Sequence, residues 1–190
     1  AAQFRNALEE VRKSGNRKLI VDLRGNAGGD VEQAIAAADE LLTSGLITSV
    51  EGRRVEQRRW QADRETAYDG DLQVLTDNST AAGAEVFAAA IHGNGRGKLV
   101  GVPTYGKAIV QMFIGLPSGG GVQMTVGHYT TPDLKPIKEQ GIRPDVVVDL
   151  SVAPEPGSKE AGKKQPDAIL EKALSLFNDQ QAAATAKKAA

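Results

Sequence analysis

The chain has 190 residues, 41% of them hydrophobic, enough for a substantial core. Its 23 basic and 24 acidic residues leave a net charge of −1, which gives no general pull toward nucleic acid or anionic membrane. It has no cysteine, so disulfides, thiol nucleophiles and cysteine-rich metal sites are excluded, and no apolar run is long enough to span a bilayer.

Phe4, Ala7, Leu8 and Val11 recur at helical spacing and predict an amphipathic helix over 2–13, broken by Ser14-Gly15-Asn16. "KLIVDL" (18–23) is a short apolar run, the signature of a buried strand. The glycine-rich turn 24–30 follows. Asp30 suits an N-cap, with Gln33 three residues on as in a capping box, and Val31, Ala34, Ile35, Ala38, Leu41 and Leu42 give the next helix one apolar face. "LITSV" (46–50) and "RVEQRRW" (54–60) predict a hairpin around Glu51-Gly52. After a polar loop, "LQVLT" (72–76) is another buried strand, feeding an alanine-rich helix over about 82–92. "KLVGV" (98–102) and "AIVQMFI" (108–114) read as strands, and "SGGG" (118–121) turns the second into "VQMTVGHYT" (122–130). "GIRPDVVVDL" (141–150) closes the compact part; residues 151–165, rich in Pro, Gly and Lys, suit a linker. Ile169, Leu170, Ala173, Leu174 and Phe177 predict one more helix, and the biased last ten residues a frayed tail. No internal repeat is present. Alternating strands and helices indicate an α/β core, with hairpins that make a purely parallel sheet order improbable.

Two stretches carry candidate chemistry. The strand, sharp turn and helix at 72–92 can expose one side chain above a sheet while helix-start N–H groups face an oxyanion. A Ser at position 82 would complete a capping box with Glu85, yet the residue is Ala82, a poorer cap by roughly 1 kcal/mol. Asn78, Ser79 or Thr80 would cap a helix that starts earlier, and an ordinary packing helix is the plainer reading. Lys107 lies in "GVPTYGKAIVQ", where 101–107 fit the G-x-x-x-x-G-K pattern of a phosphate loop. Ala108 stands in place of the magnesium-binding hydroxyl, and a strand follows where a helix must, so that reading is rejected. Lys107 is then either a surface lysine or a lysine desolvated by Ala108, Ile109 and Val110, losing its proton more readily. Service as a base near neutral pH would require its pKa to fall by about three, worth roughly 4 kcal/mol. Gln111 shares the strand face of Lys107 and could hold its amine.

Together these segments resemble the C-terminal processing peptidases, or tail-specific proteases. These are Ser–Lys serine peptidases on a fold related to the Clp protease and crotonase group. "LIVDLRGNAGG", "TAAGAEVFAAAIHGNGRGKLVG", "PTYGKAIVQ", "GGGVQMTVGHYTTPD" and "KEQGIRPDV" match family segments in family order over roughly residues 1–150. The resemblance implies a catalytic core at 1–150, a mixed sheet flanked by helices with added hairpins, and a linker, helix and tail at 151–190. It makes Lys107 the general base and Gln111 the residue that orients it. The family nucleophile lies three residues before Glu85 and 25 before Lys107, which is Ala82. The backbone N–H of Gly83 would be one oxyanion donor and one of the Gly28-Gly29 pair, preferably Gly29, the other. Glu85 and Thr104 are assigned to local architecture.

Ala82 therefore marks either a nucleophile exchanged to trap an inactive enzyme or a natural pseudopeptidase that holds peptides without cutting. The intact lysine, glutamine and glycines favour the exchange. A crotonase-type thioester enzyme is a third option, which the lysine segment argues against. Ser79 sits three residues too early to substitute. His92 and His128 are too far apart in sequence to suggest a metal, Trp60 should pack, and the basic stretch 53–59 reads as a solvated face. No metal or cofactor is expected. The resemblance implies protein tails as substrates, bound as an added strand. It also implies a PDZ domain or regulator in the full-length protein, export to a periplasm-like compartment, and an oligomer as one option.

Overall fold

The computed structural model describes residues 1–53, 55–63, 65–150 and 166–189, with side chains of the last segment through residue 179. In chain order the elements are α1 (Ala2–Lys13), β1 (Lys18–Asp22), α2 (Val31–Asp39), β2 (Leu46–Glu51), β3 (Arg58–Gln61), β4 (Asp71–Thr76), α3 (Gly83–Gly93), β5 (Lys98–Gly101), β6 (Ile109–Gly115), β7 (Gly121–Tyr129), β8 (Val146–Val147) and α4 (Ala168–Ala189). The predicted linker at 151–165 lies outside the described residues. The backbone of α4 continues to Ala189, through the stretch expected to fray.

Four strands form a parallel sheet in the order β1-β4-β5-β8. One face carries Leu72, Val74 and Leu99, packed with Leu8 of α1, Ile35 and Ala38 of α2, and Val86, Phe87 and Ile91 of α3. The other face carries Leu75 and Val100 beneath Ile169 and Ala173 of α4. Burial on both faces is why the strands read as continuous apolar runs rather than alternating ones. Arg24, just past β1, pairs with Asp22 and with Asp167 at the start of α4, both at 2.7 Å. Its hydrogen bond holds the Asp22 carboxyl below the usual carboxylate range.

A second, antiparallel sheet has the order β3-β2-β7-β6. The β2–β3 hairpin forms as expected, but β3 starts at Arg58, so the connection is longer than the sequence suggested. Strand β7 meets β2 only at Val50–Tyr129 and Glu51–His128. Most of the β6–β7 ribbon therefore extends past its neighbour, leaving Phe113 73% exposed.

The amide of Gln73 on β4 is fully buried, and neither Nε2 nor Oε1 has a hydrogen-bond partner among the described residues. It shares the α4-facing side of the sheet with Leu75. Unpaired buried polar groups cost about 1–3 kcal/mol, whereas an apolar residue of similar shape does not. Gln73→Leu is expected to stabilise the chain by about 1 kcal/mol, read as a raised urea midpoint with an unchanged slope.

Candidate active site

The loops that leave the carboxyl ends of three adjacent parallel strands converge. Residues 23–30 follow β1, residues 77–82 follow β4, and residues 102–108 follow β5. Open α/β sheets place ligands at this end of their strands.

The first two loops are stitched together by short polar side chains. Asp77 accepts from Gly25 N–H (3.0 Å) and also caps its own loop through the N–H groups of Ser79 (2.9 Å) and Thr80 (3.0 Å). Thr80 Oγ1 donates to the Leu23 carbonyl at 2.9 Å, and Ala81 N–H donates to the Asn26 carbonyl at 2.9 Å. These contacts hold Ala82 at φ 50°, ψ −118°, a strained conformation for a residue with a Cβ. Helix α3 then starts at Gly83 with Ala82 as its N-cap, not at Asn78, Ser79 or Thr80. Alanine offers no cap oxygen. The reciprocal half of the capping box is present, because Glu85 Oε2 accepts from Ala82 N–H at 3.0 Å.

Glu85 does more than cap. Its side chain is fully buried and accepts four hydrogen bonds. Oε1 receives Thr104 Oγ1–H and Gly106 N–H, each at 2.6 Å. Oε2 receives Lys107 N–H at 2.7 Å as well as Ala82 N–H. The backbones of positions 82 and 107 are thus two hydrogen-bond lengths apart through one oxygen. Thr104 Oγ1 also accepts from Ile142 N–H at 2.7 Å, which extends the network into the "GIRPD" segment. Gly141 (φ 61°) is required there, since a Cβ would run into the Thr104 carbonyl. Glu85 and Thr104 thus bind each other and the surrounding backbone, and in doing so join the two candidate catalytic positions.

The two glycines of the pair differ in hydrogen bonding. Gly28 N–H is spent on Asn26 Oδ1 at 2.9 Å, in an Asx turn. The N–H groups of Gly29 and Gly83 have no hydrogen-bond partner among the described residues. A Cβ on Gly83 would lie 3.6 Å from the Gly29 carbonyl oxygen, so these free donors belong to neighbouring backbone. Position 28 instead sets how closely the two loops approach. A Cβ there would lie 2.6 Å from Ala82 Cβ and 2.7 Å from the Ala81 oxygen, at φ 103°. Gly28→Ala is therefore expected to destabilise the chain by about 3 kcal/mol, measured by urea unfolding.

Two expectations are corrected in detail. Lys107 is exposed, and its amine has no partner among the described residues. Its apolar neighbours do not cover it: a tight turn closed by Ile109 N–H on the Lys107 carbonyl (3.0 Å) buries Ala108 in the core and leaves the Lys107 side chain outside. Gln111 is also exposed. Its Oε1 accepts from Gln123 Nε2 at 2.9 Å, a diagonal partner across the β6–β7 ribbon, so the structure does not bring its amide to Lys107. His92 pairs with Asp145, 3.1 Å away, and no group of three or more residues able to hold a metal ion exists among the described residues. No helix among them is long and apolar enough to cross a membrane. The Asp77 and Asn26 contacts were missed at the sequence level, although Asn and Asp flanking glycines in turns are a recognisable signal.

Comparison with known proteins bears on this geometry. The model of peptidase family S41 matches residues 1–148. A carboxyl-terminal-processing protease of Synechocystis sp. is 36% identical over 144 residues, covering 76% of this chain and 34% of that protein. The carboxy-terminal processing protease CtpA of Bacillus subtilis is 34% identical over 151 residues, covering 79% and 32%. A solved photosystem II D1 C-terminal processing protease superposes with a TM-score of 0.72 at 32% identity, covering 82% of this chain and 40% of that one. The Clp/crotonase-like architecture is therefore shared with solved members. The chain spans about a third of the length of these curated relatives.

Proposed function

Because the chain belongs to peptidase family S41, we propose that it is the catalytic core of a C-terminal processing serine endopeptidase in which Ala82 occupies the nucleophile position. The observation that carries this reading is the Glu85 carboxylate, which binds the backbones of Ala82 and Lys107 on one oxygen beside the free N–H groups of Gly29 and Gly83.

With a serine at 82, the hydroxyl would attack a peptide carbonyl. Lys107, as the neutral amine, would take the proton and return it to the leaving nitrogen, giving an acyl-enzyme that water then hydrolyses. Gly29 and Gly83 N–H would hold the oxyanion, each such donor worth about 3 kcal/mol in the transition state. Lys107 is exposed in the chain alone, so its desolvation would come from the bound peptide. Gln111 would need to exchange Gln123 for Lys107 to orient the amine. Substrates would be protein tails bound as an added strand. Regulation by a PDZ domain elsewhere in the full-length protein, an exported location and an oligomeric state are parts of the same proposal.

Ala82 itself favours one second reading, a pseudopeptidase that binds peptides without cleaving them. The discriminating experiment restores the oxygen by Ala82→Ser and assays an unstructured protein with an apolar C-terminus. Hydrolysis that disappears in Ala82→Ser/Lys107→Ala supports the peptidase; no hydrolysis, or hydrolysis that survives loss of the lysine, refutes it.

A further inference from the structure

The β6–β7 ribbon bears a cavity of about 450 Å³ that the proposed reaction does not use. Its apolar lining is Ile109 of β6 with Met124 and Val126 of β7. The register of the two strands shifts between Val110 and Gln111, so Val126 has no partner on β6. Bulges of this kind bend a strand and re-aim its side chains, often beside active sites. The turn after β2 closes on the bulge through Gly52, where a Cβ would lie 2.6 Å from Gly127 Cα. That turn brings Arg53 to the cavity, and the separate segment after β7 brings Lys138.

Charge sets this cavity apart. Residues 108–127 contain no charged side chain, in a chain of which 25% is charged. Arg53, His128 and Lys138 line the cavity, and no carboxylate does; Glu51 and Glu139 are near in sequence but stand outside it. Arg53 and Lys138 are exposed, and neither cationic group has a partner among the described residues. The backbone of Lys138 forms an antiparallel bridge with that of Lys107, so the cavity lies beside the candidate base.

We propose that this cavity binds the C-terminal residue of a protein tail, its apolar side chain against Ile109, Met124 and Val126 and its carboxylate between Arg53 and Lys138. The inference rests on the peptidase reading for the identity of the occupant. In that reaction Lys107 returns its proton to the leaving nitrogen. The released segment, which ends in the tail's own carboxylate, therefore lies on the Lys107 side of the cleaved bond. Only a C-terminal residue carries an apolar side chain and a carboxylate on one Cα. An internal apolar residue would leave both cations unpaired, and an internal acidic one would leave the apolar lining uncovered. The catalytic core thus reads the end of a tail by itself, whatever a PDZ domain adds.

The test measures binding to the Ala82 chain, which needs no turnover. Fluorescence anisotropy compares fluorescein-labelled Ala-Ala-Ala-Leu ending in a free carboxylate with the same peptide ending in an amide. The acid should bind about 10-fold more tightly. Arg53→Gln and Lys138→Gln should each weaken the acid by about 3-fold and together erase its advantage, with amide binding unchanged. Both side chains are exposed, so these variants should fold. Met124→Ser should weaken both peptides alike, and raised salt should narrow the gap between them. Equal binding of acid and amide, a preference that survives the double variant, or no binding overturns the proposal. So does a concentration-dependent dimer that Met124→Ser dissolves, without acid preference, which would place a second copy in the cavity. The Ala82→Ser chain separates the two readings. Cleavage of acid and amide tails with equal kcat/KM refutes the carboxylate site and leaves the peptidase intact. A Ser chain that cuts nothing refutes the peptidase, and the anisotropy result then decides the cavity alone.

Discussion

Ala82→Ser is expected to raise peptide hydrolysis above background by at least about 10⁴-fold, since removing a serine nucleophile from a complete site typically costs 10⁴–10⁶. The change adds one oxygen to a residue that is only half-buried, at a turn whose unusual dihedrals are already imposed by Asp77, Thr80, Asn26 and Glu85. The elbow need not rearrange to receive it. Any structural effect should be small, because a serine hydroxyl is also a better cap for α3 than a methyl group. The measurement is a progress curve on an unstructured substrate, with Lys107→Ala in the same background as control. Lys107→Ala should remove nearly all of the gain without altering the urea midpoint, since the exposed amine has no partner to lose among the described residues.

Glu85→Ala is expected to be the most destabilising single change in the site, by about 4 kcal/mol. Hydrogen bonds to a charged group are worth about 1.5–3 kcal/mol each, and deletion leaves buried donors unpaired. Four donors lose their acceptor at once: the N–H groups of Ala82, Gly106 and Lys107 and the Thr104 hydroxyl. Glu85→Gln should cost less but still about 2 kcal/mol, because the amide NH₂ would face N–H groups that need an acceptor. Urea unfolding followed by circular dichroism checks both values. In the Ala82→Ser background the Gln variant should also lose most of its kcat, because positions 82 and 107 would no longer meet on one oxygen. A Glu85→Gln chain with unchanged stability and full Ser-dependent activity would show that the carboxylate holds neither the loops nor the geometry.

Much of this was legible along the chain. Apolar runs at 18–23 and 72–76 announced strands covered on both faces, because covered parallel strands have no polar side to show. Asp30 capped its helix where expected, because an N-cap acts on residues two and three positions away. Counting back from Glu85 and Lys107 located Ala82, and α3 starts immediately after it. The order of the motifs identified the family.

What the sequence determined by itself, then, was what local spacing governs: the elements, the Asp30 cap and the place of Ala82 just before α3. The tertiary structure alone decided the rest. It assigned the Gly28 N–H to Asn26 and left that of Gly29 free, turned Gln111 toward Gln123, and exposed Lys107. It also drew donors from residues 82, 104, 106 and 107 onto one carboxylate. The reason is range. Helical and turn preferences act over about four residues, whereas these contacts depend on which loops leave neighbouring strands at the same end of the sheet.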